Sequence, residues 1–167
     1  MVDRILKPLP LTAERFAPFG DVIETSATNT QGMNDARFER FDDMADIDVD
    51  TENGGHVAIS IARSKTPSVF PHRFDMVERH PLGSQAFIPL APFPFTIVVA
   101  PRGESVDVND LEAFVTNGRQ GINYHRGTWH MPLISTEEGQ RFLIVDRAPG
   151  ERNCETVILE EAVILSL

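Results

Sequence analysis

Several features common in other classes of protein are scarce or missing in this sequence. The 167 residues include a single cysteine, Cys154, so no disulfide can form within the chain. This composition is typical of a reducing compartment. No stretch approaches the ~20 apolar residues of a membrane span. The first ten residues include Asp3, Arg4 and Lys7 and contain no long apolar run, which argues against a signal peptide. The sequence therefore predicts a cytoplasmic protein.

Basic residues are fewer than acidic residues in this chain. The chain has 15 Lys and Arg against 25 Asp and Glu, which gives a net charge of −10. An acidic surface repels phosphate backbones and anionic lipid headgroups. We therefore expect neither nucleic acid nor a membrane as a partner.

The chain also lacks an internal repeat and any alternation of strand and helix patterns, which excludes a solenoid and disfavours a doubly wound sheet. Instead, roughly nine short apolar segments follow one another at spacings of ~8–12 residues, which is typical of a β-sandwich or barrel. The 12 prolines fit the edges and corners of such a fold. The length predicts a single domain over residues 1–167.

Local patterns predict where the elements lie. Thr12 can cap a short helix that ends at Pro18 and Gly20. We expect a loop over residues 25–35, an acid-rich connection or short irregular helix over 42–55, and either a helical turn or a strand over 110–115. The predicted strands are 21–24, 37–41, 57–62, 74–80, 85–90, 95–100, 121–125, 129–135, 141–146 and 155–159.

The histidines are concentrated in two segments, 72–85 and 121–130, and only His56 lies outside them. In a strand, residues two apart face the same side, so Glu78 and His80 share a face. After a corner at Pro81, the strand that begins at Gln85 can return its side chain to the same cavity. A small barrel gathers polar groups in its interior in this way.

These two segments resemble the paired motifs of the cupin family. Glu78-x-His80-Pro81 followed by Gln85 has the spacing of the first cupin motif with two substitutions, and His125-Arg-Gly-Thr-Trp-His130 resembles the second. The resemblance implies a double-stranded β-helix, a mainly β barrel with a few short helices. It also implies a divalent metal bound by Glu78, His80, Gln85 and His130. The amide of Gln85 is a weaker ligand than the imidazole or carboxylate of the usual motif.

Longer stretches resemble one branch of that family, the ureidoglycolate lyases. They are residues 16–24, 78–90, 114–133 and 146–147, so the resemblance spans nearly the whole chain. It implies cleavage of (S)-ureidoglycolate to glyoxylate and urea in allantoin and purine catabolism. The metal that the family implies is Ni²⁺.

The reaction requires a site that holds a carboxylate, acidifies a hydroxyl and protonates a departing nitrogen. Our hypothesis assigns proton transfer to His125 or Tyr124, which precede His130 in the second motif. Arg73 and Arg126 are candidates to bind the substrate carboxylate, because a guanidinium matches its geometry. Since barrels of this type often pair through exposed strand edges, we also expect a homodimer.

Other functions remain open from sequence alone. An amidohydrolase could attack the same substrate with water and release ammonia and carbon dioxide. A non-enzymatic cupin could bind a small acid, and a sugar isomerase is suggested only by analogy of fold. Some residues have simpler interpretations: His72 caps a strand, His56 lies in a solvated loop, and Trp129 packs in the core.

Overall fold

In a computed structural model, residues 4–25 and 30–167 form fourteen strands and one short α-helix. The strands are β1 (Arg4–Leu6), β2 (Leu9–Pro10), β3 (Gly20–Ile23), β4 (Thr30–Met33), β5 (Phe38–Phe41), β6 (His56–Arg63), β7 (His72–Arg79), β8 (Gln85–Pro89), β9 (Thr96–Ala100), β10 (Glu112–Val115), β11 (Gly121–Tyr124), β12 (Trp129–His130), β13 (Arg141–Ala148) and β14 (Glu155–Leu165). The helix α1 spans Ala13–Phe16, and 3₁₀ turns occupy Glu52–Gly54 and Val108–Asp110.

The strands form two large sheets and a separate hairpin. One sheet has seven strands in the order β1-β14-β7-β12-β9-β10-β2, and the other has five in the order β3-β11-β8-β13-β6. The hairpin pairs β4 with β5. The two large sheets enclose an aromatic core. Its buried members are Leu11, Phe16, Phe19, Phe87, Phe95, Ile97, Val99, Phe114, Ile122, Tyr124 and Phe142. The predicted cupin-type, mainly β fold is confirmed.

Strand β9, inside the seven-stranded sheet, is buried on both of its faces. Ile97 and Val99 point into the aromatic core, whereas Val98 and Ala100 belong to a second apolar cluster on the opposite face. All five residues of β9 are buried. A strand covered on both sides is continuously apolar in sequence rather than alternating, which is the pattern of residues 95–100.

Several local predictions hold, and others are wrong. Thr12 caps α1 by accepting a hydrogen bond from the Arg15 amide. Trp129 is buried in the core, as predicted. Residues 26–29 of the predicted loop 25–35 lie outside the described residues, and residues 30–33 form β4, which the turn-forming residues concealed. His56 is exposed, as expected, but it begins β6 rather than lying in a loop.

The predicted strand over 129–135 is also too long. Among these residues only Trp129 and His130 are assigned to a strand. Pro132 has no amide hydrogen to donate to a sheet ladder, so regular pairing cannot continue through it. The ambiguous segment 110–115 resolves into the end of a 3₁₀ turn followed by β10.

Candidate metal centre

Two cross-strand pairs bring the predicted site residues together at one end of the barrel. In the seven-stranded sheet, His130 of β12 lies directly opposite Glu78 of β7. In the five-stranded sheet, Tyr124 of β11 lies opposite Gln85 of β8. Directly opposed residues on neighbouring strands point to the same face. The site therefore lies between the two sheets and draws on both of them.

The corner after β7 and the turn before β12 are joined by hydrogen bonds. The Gly127 amide donates to the His80 carbonyl at 3.0 Å, and Arg126 Nε donates to the Pro81 carbonyl at 2.7 Å. Gly127 has φ +80°, a conformation that favours glycine. The glycine of the second motif thus allows the turn that fixes the two motifs to each other.

Glu78, His80 and His130 each present a ligand atom to one small region, and these atoms all lie within 4.8 Å of one another. Nε2 of His130 is 3.5 Å from Oε1 of Glu78. His130 is only 1% exposed, and its Nε2 has no hydrogen-bond partner among residues 4–25 and 30–167. A buried polar atom without a partner costs about 1–3 kcal/mol. The side chains therefore converge on a place where a bound cation would satisfy an otherwise isolated nitrogen.

Backbone carbonyls fix the orientation of both imidazoles. Nδ1 of His80 is 2.6 Å from the Asn153 carbonyl, and Nδ1 of His130 is 3.0 Å from the Thr128 carbonyl. Because a carbonyl only accepts hydrogen bonds, Nδ1 carries the proton in each ring. Nε2 of His130 is then directed towards Glu78, and Nε2 of His80 towards Gln85. This second layer of hydrogen bonds is characteristic of histidines that bind metals.

Gln85 presents its amide oxygen to the same region. Its Nε2 donates to Oδ2 of Asp146 at 3.1 Å, and its Oε1 lies 3.0 Å from Nε2 of His80. With the His80 proton on Nδ1, two lone pairs face each other across this short distance. A shared cation relieves that repulsion, so Gln85 fits a fourth ligand position.

The local electrostatics keep the ligands in the forms that bind metal. The neighbouring His130 imidazole lowers the pKa of the Glu78 carboxyl below its usual value, although partial burial opposes this shift. Burial lowers the pKa of His80, and the adjacent His130 adds to that effect. At neutral pH, Glu78 is therefore ionised and His80 is neutral, which are the protonation states of metal ligands.

Tyr124 lies against this cluster. Its ring stacks on His130 with the ring centroids 4.2 Å apart and an interplanar angle of 14°. Burial raises the pKa of its hydroxyl far above the usual value, and the charge of Glu78 acts in the same direction. The hydroxyl therefore keeps its proton at neutral pH, and Tyr124 is available as a hydrogen-bond donor.

His125 faces elsewhere. It follows Tyr124 directly, and its Nε2 lies 3.0 Å from Oδ1 of Asp21. The other oxygen of Asp21 accepts hydrogen bonds from Asn123 Nδ2 and from the Asp46 amide. The structure thus groups His125 with residues that attach the acid-rich segment to β3 and β11, rather than with the ligand cluster.

The two predicted carboxylate-binding arginines are placed differently. Arg126 contacts the corner beside His80 through Pro81, and its terminal nitrogens lie 3.7 Å from Asp48 Oδ1 and 3.4 Å from Asp50 Oδ2. Arg73 lies five residues before Glu78 on β7, so roughly 16 Å separates the two along the strand. Only Arg126 is therefore close to the two motifs.

Two residues near the site received no role from the sequence. Asp146 occupies the next inward position after Phe142 and Ile144 on β13, and a carboxylate in that apolar series is a signal that could have identified it. Cys154 Sγ lies 3.6 Å from Oε2 of Glu78. Burial and the charge of Glu78 raise the pKa of this thiol, which keeps it protonated.

Comparison with known proteins decides the family. The sequence profile of the ureidoglycolate lyase family matches residues 3–166. The chain belongs to this family.

Individual ureidoglycolate lyases agree with this assignment. The enzyme of that name from Pseudomonas fluorescens strain Pf0-1 is 48% identical over 158 residues, which cover 95% of this chain and 93% of the relative. The one from Pseudomonas syringae pv. syringae strain B728a is 46% identical over 158 residues, or 95% and 92% of the two chains. The Pseudomonas aeruginosa LESB58 relative is 46% identical over 152 residues, or 91% and 89%. The predicted family is confirmed.

None of the helices described in residues 4–25 and 30–167 has the length and hydropathy that a membrane-spanning helix requires.

Proposed function

We propose that this protein is a ureidoglycolate lyase, which cleaves (S)-ureidoglycolate to glyoxylate and urea in allantoin and purine catabolism. Membership of the family and the shared name of its relatives support this activity. The structural observation behind the proposal is the buried Nε2 of His130, which points towards Glu78 within a cluster of metal-ligand atoms. This nitrogen has no hydrogen-bond partner in the part of the chain that the structure describes. Such a cluster suits a substrate that carries adjacent carboxylate and hydroxyl oxygens.

The proposed reaction is an elimination. The hydroxyl of ureidoglycolate loses its proton, the electron pair of that O–H bond forms the C=O of glyoxylate, and the C–N bond breaks with its electrons moving to nitrogen. The nitrogen takes up one proton and leaves as urea. No water is consumed, so the products are one glyoxylate and one urea for each substrate.

We assign the ligand positions to Glu78, His80, Gln85 and His130, with Ni²⁺ as the proposed ion. When bound, a divalent cation neutralises the substrate carboxylate and lowers the pKa of the adjacent hydroxyl. The protein contributes one carboxylate, two neutral imidazoles and one amide oxygen. This set gives the ligands a formal charge of −1 and leaves positions open for a substrate that chelates.

Tyr124 is our first candidate for the proton donor to the departing nitrogen. Its ring lies against the ligand His130, with the ring centroids 4.2 Å apart. His125, the other candidate, is engaged with Asp21. For the substrate carboxylate we propose Arg126 ahead of Arg73, because Arg126 contacts the corner between β7 and β8.

The alternative functions have less support. The family and the names of its members favour a lyase over an amidohydrolase or a non-enzymatic acid-binding cupin. Nothing in the described ligand cluster favours a sugar isomerase. We therefore keep the amidohydrolase only as an outcome that product analysis distinguishes.

We also propose that the protein acts as a cytoplasmic homodimer. Strand β6 is an edge of the five-stranded sheet. It exposes three large apolar side chains, Val57 at 52%, Ile59 at 71% and Ile61 at 63%. An exposed apolar edge strand invites pairing with another strand. Pairing β6 with β6 of a second copy around a twofold axis would satisfy the unpaired backbone groups of this edge and bring the apolar side chains of the two copies side by side.

Product analysis tests the proposed activity. Purified protein is incubated with (S)-ureidoglycolate as isolated, after chelation and after return of Ni²⁺. We expect urea and glyoxylate in equal amounts, loss of turnover on chelation and recovery with the metal. Ammonia in place of urea would identify an amidohydrolase, and no turnover with any divalent metal would indicate a binding protein.

A further inference from the structure

Asp146 lies beside Gln85 on the inner face of the five-stranded sheet. Strands β8 and β13 are antiparallel, and Ala86 is paired with Val145, which makes Gln85 and Asp146 the adjoining residues. Oδ2 of Asp146 accepts a hydrogen bond from Nε2 of Gln85 at 3.1 Å. Both side chains are partly buried between the sheets. This carboxylate thus contacts the amide that faces the ligand cluster.

An amide is an ambiguous metal ligand. One end carries lone pairs and can bind a cation, whereas the other end carries two N–H groups and repels one. A glutamate at the same position would have two equivalent oxygens and no such ambiguity. A glutamine ligand therefore needs a neighbour that selects its orientation.

Asp146 has the chemistry to make that selection. An ionised carboxylate only accepts hydrogen bonds, so it attracts the NH₂ end of Gln85 and turns the oxygen towards His80. The charge-assisted hydrogen bond is also stronger than one between neutral groups. It draws electron density towards Oε1, which makes the oxygen a better ligand.

We infer that Asp146 is a positioning residue for the metal centre: it orients the Gln85 amide so that the oxygen faces the metal. A carboxylate at position 85 would itself carry a negative charge. Here Asp146 carries that charge, next to the NH₂ end of the Gln85 amide. This inference rests on the metal site of the proposed function. It assigns Asp146 no contact with the substrate.

Metal binding tests the inference without reference to turnover. Metal-stripped full-length protein is titrated with Ni²⁺ by equilibrium dialysis, and the visible spectrum of the Co²⁺-loaded protein reports the ligand set. Asp146→Ala is expected to weaken Ni²⁺ binding by about 10–100-fold and to change the Co²⁺ spectrum. The matched control is Asp75→Asn, at an exposed position of β7, which is expected to leave both unchanged.

A double-mutant cycle separates orientation from simple loss of charge. Asp146→Asn keeps the shape of the side chain and is expected to weaken Ni²⁺ binding about tenfold when residue 85 is Gln. In the Gln85→Glu background the same change is expected to cost less than about twofold, because a carboxylate ligand accepts a hydrogen bond from the new amide and needs no orientation. Equal losses in both backgrounds would overturn the inference.

The outcomes distinguish this inference from the proposed function. If the wild-type protein binds Ni²⁺ and turns over (S)-ureidoglycolate but Asp146→Ala retains its affinity and its Co²⁺ spectrum, only the inference fails. If the wild-type protein does not bind Ni²⁺, the proposed metal site fails and the role of Asp146 fails with it. The melting temperature of each metal-free variant shows whether its fold is intact.

Discussion

The phenol ring of Tyr124 lies nearly parallel to the imidazole of His130, with ring centroids 4.2 Å apart. Tyr124 belongs to the five-stranded sheet and His130 to the seven-stranded sheet. This side-chain contact therefore joins the two sheets at the ligand cluster. It also places the buried Tyr124 beside the proposed metal ligand His130.

Tyr124→Phe and His125→Ala together distinguish the two candidates for proton transfer. Tyr124→Phe keeps the ring that stacks on His130 and removes only the hydroxyl, so we expect kcat to fall by about 10²–10⁴-fold with Ni²⁺ binding retained. His125→Ala is expected to change kcat only a few-fold, because its side chain is bonded to Asp21. Steady-state assays of glyoxylate release measure both. The opposite order of effects would assign proton transfer to His125.

His130→Phe is expected to separate stability from metal binding. The substitution removes Nε2, which has no hydrogen-bond partner within residues 4–25 and 30–167, and keeps a ring against Tyr124. It also removes the Nδ1–H that donates to the Thr128 carbonyl, and the two effects oppose each other. We expect the metal-free variant to be about as stable as the metal-free wild type, because relief of the isolated Nε2 offsets the lost hydrogen bond. Ni²⁺ at 100 times its Kd should stabilise the wild type by about 2.7 kcal/mol and leave the variant unchanged. Thermal melts with and without Ni²⁺ test this, and a variant that Ni²⁺ still stabilises would remove His130 from the ligand set.

Asp21→Asn is expected to destabilise the protein in a pH-dependent manner. Burial acts to raise the pKa of the Asp21 carboxyl, but hydrogen bonds from Asn123, the Asp46 amide and His125 outweigh it and lower the pKa below the usual value of 3.8. A carboxyl with a lowered pKa in the folded state stabilises the fold above its unfolded-state pKa. That stability is lost as the pH falls through the folded-state pKa.

We therefore expect Asp21→Asn to reduce the free energy of unfolding by about 1 kcal/mol at pH 7. The difference from the wild type should shrink below the usual aspartate pKa, where the wild-type carboxyl also becomes neutral. Urea unfolding at pH 7 and in acid measures the change, with Asp75→Asn as the exposed control. A difference that is constant with pH would show that the charge of Asp21 contributes nothing.

Ile59→Lys is expected to disrupt the proposed dimer. Ile59 lies at the centre of β6 and is 71% exposed in the single chain. Two lysines brought together across a twofold axis repel each other and would have to lose water. Sedimentation velocity should show a dimer for the wild type and a monomer for the variant. Val69→Lys is the control, since Val69 is 82% exposed outside the named strands, and a dimer that survives Ile59→Lys would exclude this edge.

Much of the site could be predicted from sequence because its residues lie within two short segments. Strand alternation placed Glu78 and His80 on one face, and the resemblance to the cupin motifs added Gln85 and His130. Spacing cannot show which residues meet from distant parts of the chain. Asp146 contacts Gln85 across 61 positions, and only the pairing of β8 with β13 brings them together.

The amino-acid sequence by itself indicated the fold class through local alternation and turn residues, and its resemblance to known motifs indicated the family and the candidate ligands. Tertiary structure alone decided the orientation of each side chain. Tyr124 and His125 are adjacent in sequence, yet Tyr124 stacks on His130 whereas His125 forms a hydrogen bond with Asp21. Strand geometry sends successive side chains to opposite faces. Which face becomes the interior depends on how the two sheets close around the core.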